Sequence, residues 1–321
     1  MSHPPLRELL HNDPDPMSVL RRCGRTFYAA SLLLPSGTRR TLAELYTFCR
    51  LVDDCADAPP DARHASASEL LALIDDQLSS SEPSTKAIAR FRALAAEHQI
   101  PLEVPTELIA GVRSDLAGVR VQDTGELIRY AYRVASTVGL MMCRVLRVDP
   151  SADRFAIDLG IGMQLTNIAR DIREDALNDR VYVPATIADH ASIIDAAQAS
   201  ATGRWIDASD RDRVLHAASE LLAIADTYYE SAELGMRYLP IAVRPGIRAA
   251  ARNYRAIGDV IRHDPEAILH RRVRTSRSMK AKGSLIAVID AAYDLLAIGR
   301  ERHDTSLHAS LGPLLAGSAA G

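Results

Sequence analysis

Two groups of acidic residues stand at spacings that acquire chemical meaning on a helix. In Arg50-Leu-Val-Asp53-Asp54-Cys-Ala-Asp57, Asp53 and Asp57 are four apart and become neighbours on one helical face, with Arg50 and Tyr46 just before them on it. Asp54 is turned about 100° away from that face. In the second group, Gln164, Asn167, Asp171 and Asp175 step by three, four and four, so amides and carboxylates share one stripe. Like charges at such spacing oppose one another by a few tenths of a kcal/mol. Their flanks are apolar (Leu45, Phe48, Leu51 and Val52; Ile161, Met163, Leu165 and Ile168), so the cost grows if these faces look inward. A cation offsets it. Hard oxygen donors suit Mg²⁺ or Mn²⁺, which complete their shells with water and phosphate oxygens. Two such faces opposed across an apolar chamber would neutralise a departing diphosphate, and the dry walls would keep water from the carbocation left behind. A single aspartate pair is common on solvated helices. Two pairs at one spacing, both in apolar surroundings, point to the metal.

Other chemistry is poorly supported. The ten histidines include no HExxH and no zinc-like pairing. Gly160-Ile-Gly162 lacks the strand and the third glycine of a dinucleotide loop, so no NADPH is expected. Arg271, Arg272, Arg274, Arg277, Lys280 and Lys282 form a run without an acid. Such a run suits a solvated helix end, a diphosphate contact, or attraction to an anionic membrane surface.

The elements that must hold these residues are helices. From Thr41 the positions Leu42, Leu45, Cys49 and Val52 step by three and four, and the same period predicts helices near 66–80, 86–98, 105–118, 124–147, 151–177, 209–238, 246–262 and 284–300. Breaks are expected at Pro35-Ser36-Gly37, Pro59-Pro60, Pro83, Pro101, Pro105, Pro150, Pro184 and Pro240. Only Arg180-Val-Tyr-Val183 looks strand-like. The segment 185–206 suits either a lid over the site or a surface helix. The expected fold is all-α, one domain over 16–302, with frayed tails at 1–15 and 303–321.

Composition agrees with this. The 321 residues are 47% hydrophobic and 25% charged with a net charge of −3, which fits a soluble globular chain and gives no general attraction to nucleic acid. Cys23, Cys49, Cys55 and Cys143 form no CxxC pair and are expected to be buried and reduced. There is no signal-peptide pattern and no apolar run of spanning length, so the expected location is the cytoplasm, with peripheral contact at the inner membrane face left open.

Over about residues 20–298 the sequence resembles the squalene/phytoene synthase family, the head-to-head branch of the trans-isoprenyl diphosphate synthases. The likeness runs in order through Thr26-Phe27-Tyr28 to Pro35, Leu45-Tyr46 to Asp57, Tyr130 to Met142, Gln164 to Pro184, Tyr228-Tyr229, Leu239-Pro240, Tyr254 and Arg271 to Ser276. The Gly139-Leu-Met-Met142 ending is most similar to bacterial phytoene synthases. One departure is Gly24, where relatives often carry a hydroxyl.

The resemblance implies an isoprenoid synthase helical bundle around a central cavity. It implies that Asp53, Asp57, Asn167, Asp171 and Asp175 bind Mg²⁺, and that these aspartates act in catalysis with Arg50 and Tyr130. Arg25, Thr26, Phe27, Tyr46, Gln164, Arg170, Arg180, Tyr254 and Arg272 are implied as substrate contacts, and Val134, Val138 and Gly139 as cavity wall near the reacting carbons. The implied reaction joins two geranylgeranyl diphosphates through a cyclopropylcarbinyl diphosphate to phytoene. Alternatives are a C15-using squalene, hydroxysqualene or dehydrosqualene synthase, and a non-catalytic relative serving in assembly or binding. A head-to-tail elongase fits less well, because Asp171-Ile-Arg-Glu-Asp175 does not match its second motif.

Overall fold

The structure is a computed structural model that describes residues 14–56, 67–80, 83, 85–293, 302–312 and 314–315. Asp57 and the Pro59-Pro60 break lie outside the described residues. The described residues are predominantly helical. In order the helices are α1 (Pro16–Cys23), α2 (Arg25–Ser31), α3 (Ser36–Ala56), α4 (Ser68–Ser79), α5 (Lys86–Glu97), α6 (Glu103–Ser114) and α7 (Thr124–Ala131). They continue as α8 (Thr137–Val145), α9 (Asp153–Leu177), α10 (His190–Ala201), α11 (Ala208–Gly235), α12 (Arg244–His263), α13 (Ala267–His270) and α14 (Arg277–Tyr293). Among these helices none is long and apolar enough to cross a membrane.

Local chemistry sets several boundaries. Asp15, Asp123, Asp189 and Asp207 each cap a helix by accepting a backbone N–H from its first turn, as short polar side chains do at helix starts. Pro105, expected as a break, lies in the first turn of α6, where its missing N–H has no helical partner to lose. Ser276 accepts from the N–H of Met279 at 3.1 Å, so α14 starts earlier than the apolar period suggests and its first turns carry part of the basic run. The strand-like piece shortens to β2 (Arg180–Val181), paired in parallel with β1 (Val119–Arg120). Segment 190–201 is a helix that buries Ile193, Ala196 and Ala197.

The centre of the molecule is α9. It buries Phe155, Ile157, Ile161, Leu165, Ile168, Ala169 and Ile172 on more than one face, which is why its pattern is not a single stripe. Helix α11 packs along it. Gly160 allows a close approach of the segment ending at Ser136, since a Cβ there would fall 2.5 Å from Ser136 Cα. The glycines of Gly160-Ile-Gly162 thus serve helix packing.

The expected helix over 124–147 is divided. Tyr132–Ser136 form a π-helical turn between α7 and α8. Ser136 Oγ donates from this turn to the Ile157 carbonyl at 2.8 Å.

The C-terminal end also differs from expectation. Residues 305–311 form a 3₁₀ turn with His308 and Leu311 buried, and Tyr228 donates its hydroxyl to the Leu307 carbonyl at 2.9 Å. Asp158 of α9, fully buried, accepts from Ser231 at 2.6 Å and lies 2.8 Å from His303 Nε2 and 2.7 Å from His308 Nε2. The frayed tail expected from 303 on is, as far as residue 311, part of the packed body. A buried carboxylate needs such donors, and two of the three groups come from residues 303 and 308.

Cys49, Cys55 and Cys143 are buried and Cys23 is exposed, which corrects the expectation that all four are enclosed. Burial pushes the Cys55 and Cys143 thiols up to about 12.

Candidate active site

Helices α2, α3, α7, α9 and α12, together with the segment entering α14, surround a cavity of about 1440 Å³. The side chains of Asp53 on α3 and of Asn167, Asp171 and Asp175 on α9 line it. So do Arg25, Thr26, Phe27, Tyr46, Arg50, Tyr130, Val134, Gln164, Arg170, Arg180, Tyr254 and Arg272. The residues singled out on distant stretches of sequence are therefore brought to one chamber. Val138 and Gly139 are not among its lining. A Cβ on Gly139 would sit 2.9 Å from the Ala156 carbonyl oxygen, so this glycine is placed at a helix contact.

Tyr254 joins the two acidic faces. Its buried phenol is held above its ordinary pKa by desolvation, and the charges acting on it include Arg170, Arg272, Asp171 and Asp53. Phe27 packs between the rings of Tyr254 and Tyr46, at 5.2 and 6.1 Å. The departure at Gly24 has a local reason, because a Cβ there would lie 2.9 Å from Tyr46 Cζ.

Electrostatics around the acids are polarised. Arg170 forks onto its neighbour Asp171, with Nε 2.8 Å from Oδ1 and the second contact on Oδ2. Arg272 reaches the same Oδ2 at 3.0 Å. Arg50 pairs with Asp54, one turn along α3. Burial raises the Asp175 carboxyl well above its usual range, and the neighbouring Asp171 adds to this while Arg180 opposes it. An acid in that position favours a proton or a cation. Asp53, Asp171, Asp175 and the Asn167 amide offer the hard oxygen donors that Mg²⁺ takes, so the residues present fit such an ion.

At the mouth, Arg21, Arg22, Arg274, Arg277 and Lys280 also face the cavity. Burial, then the like charges of Arg25 and Arg274, lower the Lys280 amine.

Two site residues escaped the sequence reading. Asp115 accepts hydrogen bonds from Tyr130 at 3.0 Å and Tyr182 at 2.8 Å, and the two phenol rings stack at 4.6 Å. All three line the cavity. Asp115 lies beyond the end of α6 and Tyr182 just past β2, with no short spacing to link them. Asp158, His303 and His308 also have metal-ligand types. Each imidazole, however, meets its own carboxylate oxygen at hydrogen-bond length, and the trio lies outside the cavity lining. It is a hydrogen-bonded clasp.

The fold and the chamber define an all-α isoprenoid synthase bundle. The family model for squalene/phytoene synthase matches residues 20–279, and the chain belongs to that family. It is 35% identical over 272 residues to a phytoene synthase of Cereibacter sphaeroides, covering 82% of this chain and 75% of that one. A 15-cis-phytoene synthase of a Paracoccus species is 35% identical, covering 80% and 84%. A phytoene synthase of Pseudescherichia vulneris is 33% identical, covering 91% and 92%. Among solved structures, a dehydrosqualene synthase in complex with ligand superposes with a TM-score of 0.70 at 20% identity, covering 90% and 98%. The squalene synthase of Alicyclobacillus acidocaldarius gives 0.64 at 22%, covering 77% and 93%. These structural likenesses bear on the fold.

Proposed function

We propose that this chain is a phytoene synthase, which joins two geranylgeranyl diphosphates head to head through a cyclopropylcarbinyl diphosphate and releases phytoene. The observation that carries this is the opening of Asp53 and of Asp171 and Asp175 onto one chamber whose lining also includes the apolar Val112, Val134, Ile168 and Ile257. Its 1440 Å³ exceeds the roughly 300–1,000 Å³ of an ordinary ligand pocket, as two long chains require. The relatives named as phytoene synthases support the C20 substrate.

Asp53, Asn167, Asp171 and Asp175 would hold Mg²⁺, with Asp57 added by family likeness; the ion supplies neutralisation of the departing diphosphate. Arg170, Arg180, Arg272 and Lys280 present N–H donors to phosphate oxygens, Arg in the planar fork suited to them. The apolar wall orients the prenyl chains and excludes water. The Tyr130 and Tyr182 rings, fixed by Asp115, offer π faces to positive carbon. The net reaction needs no reductant, and NADPH has no part in it.

Incubating the purified protein and Mg²⁺ with geranylgeranyl or farnesyl diphosphate, followed by hydrocarbon analysis, tests the proposal. A C40 product from the C20 substrate is expected. C30 products alone would reassign the chain to squalene or dehydrosqualene synthesis. No product from either would favour a non-catalytic role.

A further inference from the structure

One of the carboxylates proposed above for the metal is already paired with the protein's own cations. Both oxygens of Asp171 are engaged, Oδ1 by Arg170 at 2.8 Å and Oδ2 by Arg170 and Arg272, the latter at 3.0 Å. The two arginines differ in how they are held. Arg170 adjoins Asp171 on α9 and its side chain is 12% exposed, whereas that of Arg272 is 45% exposed. Arg272 also lies in the irregular segment between α13 and α14, so it can leave without disturbing a helix. Its other acidic contact, Glu174, is distant at 3.9 Å.

We propose that Arg272 is an exchangeable counter-ion. It neutralises Asp171 in the empty enzyme, yields that carboxylate to the divalent ion, and passes its guanidinium to the substrate diphosphate. This rests on the metal and diphosphate reading given above and adds a coupling between them. A divalent ion entering alone must break the Arg272–Asp171 pair and leave the guanidinium only a weak partner. With diphosphate present, the displaced cation finds phosphate oxygens, so the same event costs less. Metal and diphosphate then strengthen each other's binding, by the same factor in either order. The exchange also keeps one of the acids compensated whenever the chamber is empty, where an uncompensated buried charge would be costly.

The experiment measures two bindings separately on wild type, Arg272→Gln and Arg272→Lys, with Asp171→Asn as reference. Mn²⁺ is titrated alone, with free ion followed by electron paramagnetic resonance. Inorganic pyrophosphate is titrated in EDTA by calorimetry. The exchange predicts opposite signs for Arg272→Gln: Mn²⁺ binds about fivefold or more tightly, and pyrophosphate binds more weakly. Arg272→Lys keeps the charge and falls between. A residue that only supports the fold would weaken both, and one that only contacts substrate would leave Mn²⁺ unchanged; either result overturns the exchange. If wild type binds Mn²⁺ and Asp171→Asn does not, the metal reading stands whatever Arg272→Gln shows. If Mn²⁺ binds to none of the four proteins, the metal reading falls and the exchange falls with it.

Discussion

His308 Nε2 lies 2.7 Å from Asp158 Oδ1, and this contact fastens the end of the chain to the helix that carries Asp171 and Asp175. Replacing His308 with Ala leaves a fully buried carboxylate short of one donor. The expected loss is about 1–3 kcal/mol, read as a lower urea midpoint with an unchanged slope. A chain ending at residue 301 removes both histidines and should lose more. Unaltered stability in both would mean that the segment does not bear on the core.

Asp53→Asn and Asp171→Asn should lower turnover by orders of magnitude, because an amide keeps the shape but not the charge that draws Mg²⁺. Circular dichroism should stay near wild type in both; the thermal midpoint should hold for Asp53→Asn and fall for Asp171→Asn, which also unpairs the buried Arg170. Turnover within a fewfold of wild type would remove these residues from the proposed metal site.

The raised Asp175 carboxyl has a calculable sign. A carboxyl whose folded pKa exceeds its unfolded value near 3.8 binds more protons in the native state, so metal-free stability falls as pH rises through the window between those two values. Each pKa unit is worth about 1.4 kcal/mol. Asp175→Asn should therefore raise the melting temperature in EDTA at pH 7, and the gain should shrink as the pH approaches 3.8. A lower midpoint at pH 7, insensitive to acid, would contradict this. Saturating Mg²⁺ should favour wild type.

Asp115→Asn replaces one acceptor by a donor facing two phenols. Tyr130 and Tyr182 then lose their common anchor, and kcat should fall about tenfold or more while KM changes less. Calorimetry of the variant fixes how much of the change is stability. An unchanged kcat would show that the tyrosines need no fixing.

Part of this arrangement was legible before any coordinates. Asp53 with Arg50, and Asp171 with Asp175, are separated by three or four residues, and a helix turns such spacing directly into a shared face. The apolar period likewise exposed most helices. What stayed hidden depends on contacts between remote segments: Asp115 with Tyr182, Arg272 with Asp171, and His308 with Asp158. No local period encodes these. The π turn at Tyr132–Ser136 was hidden for another reason, since its residues continue a helical pattern and the extra residue is accommodated by the neighbouring helix.

That accommodation has a consequence for inheritance. The wide turn at Tyr132–Ser136 and the bare backbone at Gly160 are mates, since even one methyl at 160 would strike Ser136. Neither can drift alone. If the proposed reaction holds, variation that retunes the length of hydrocarbon accepted must pass them by and work through lining side chains on other helices, such as Val112 and Ile257. A graft that carries one mate into a foreign scaffold without the other should misassemble.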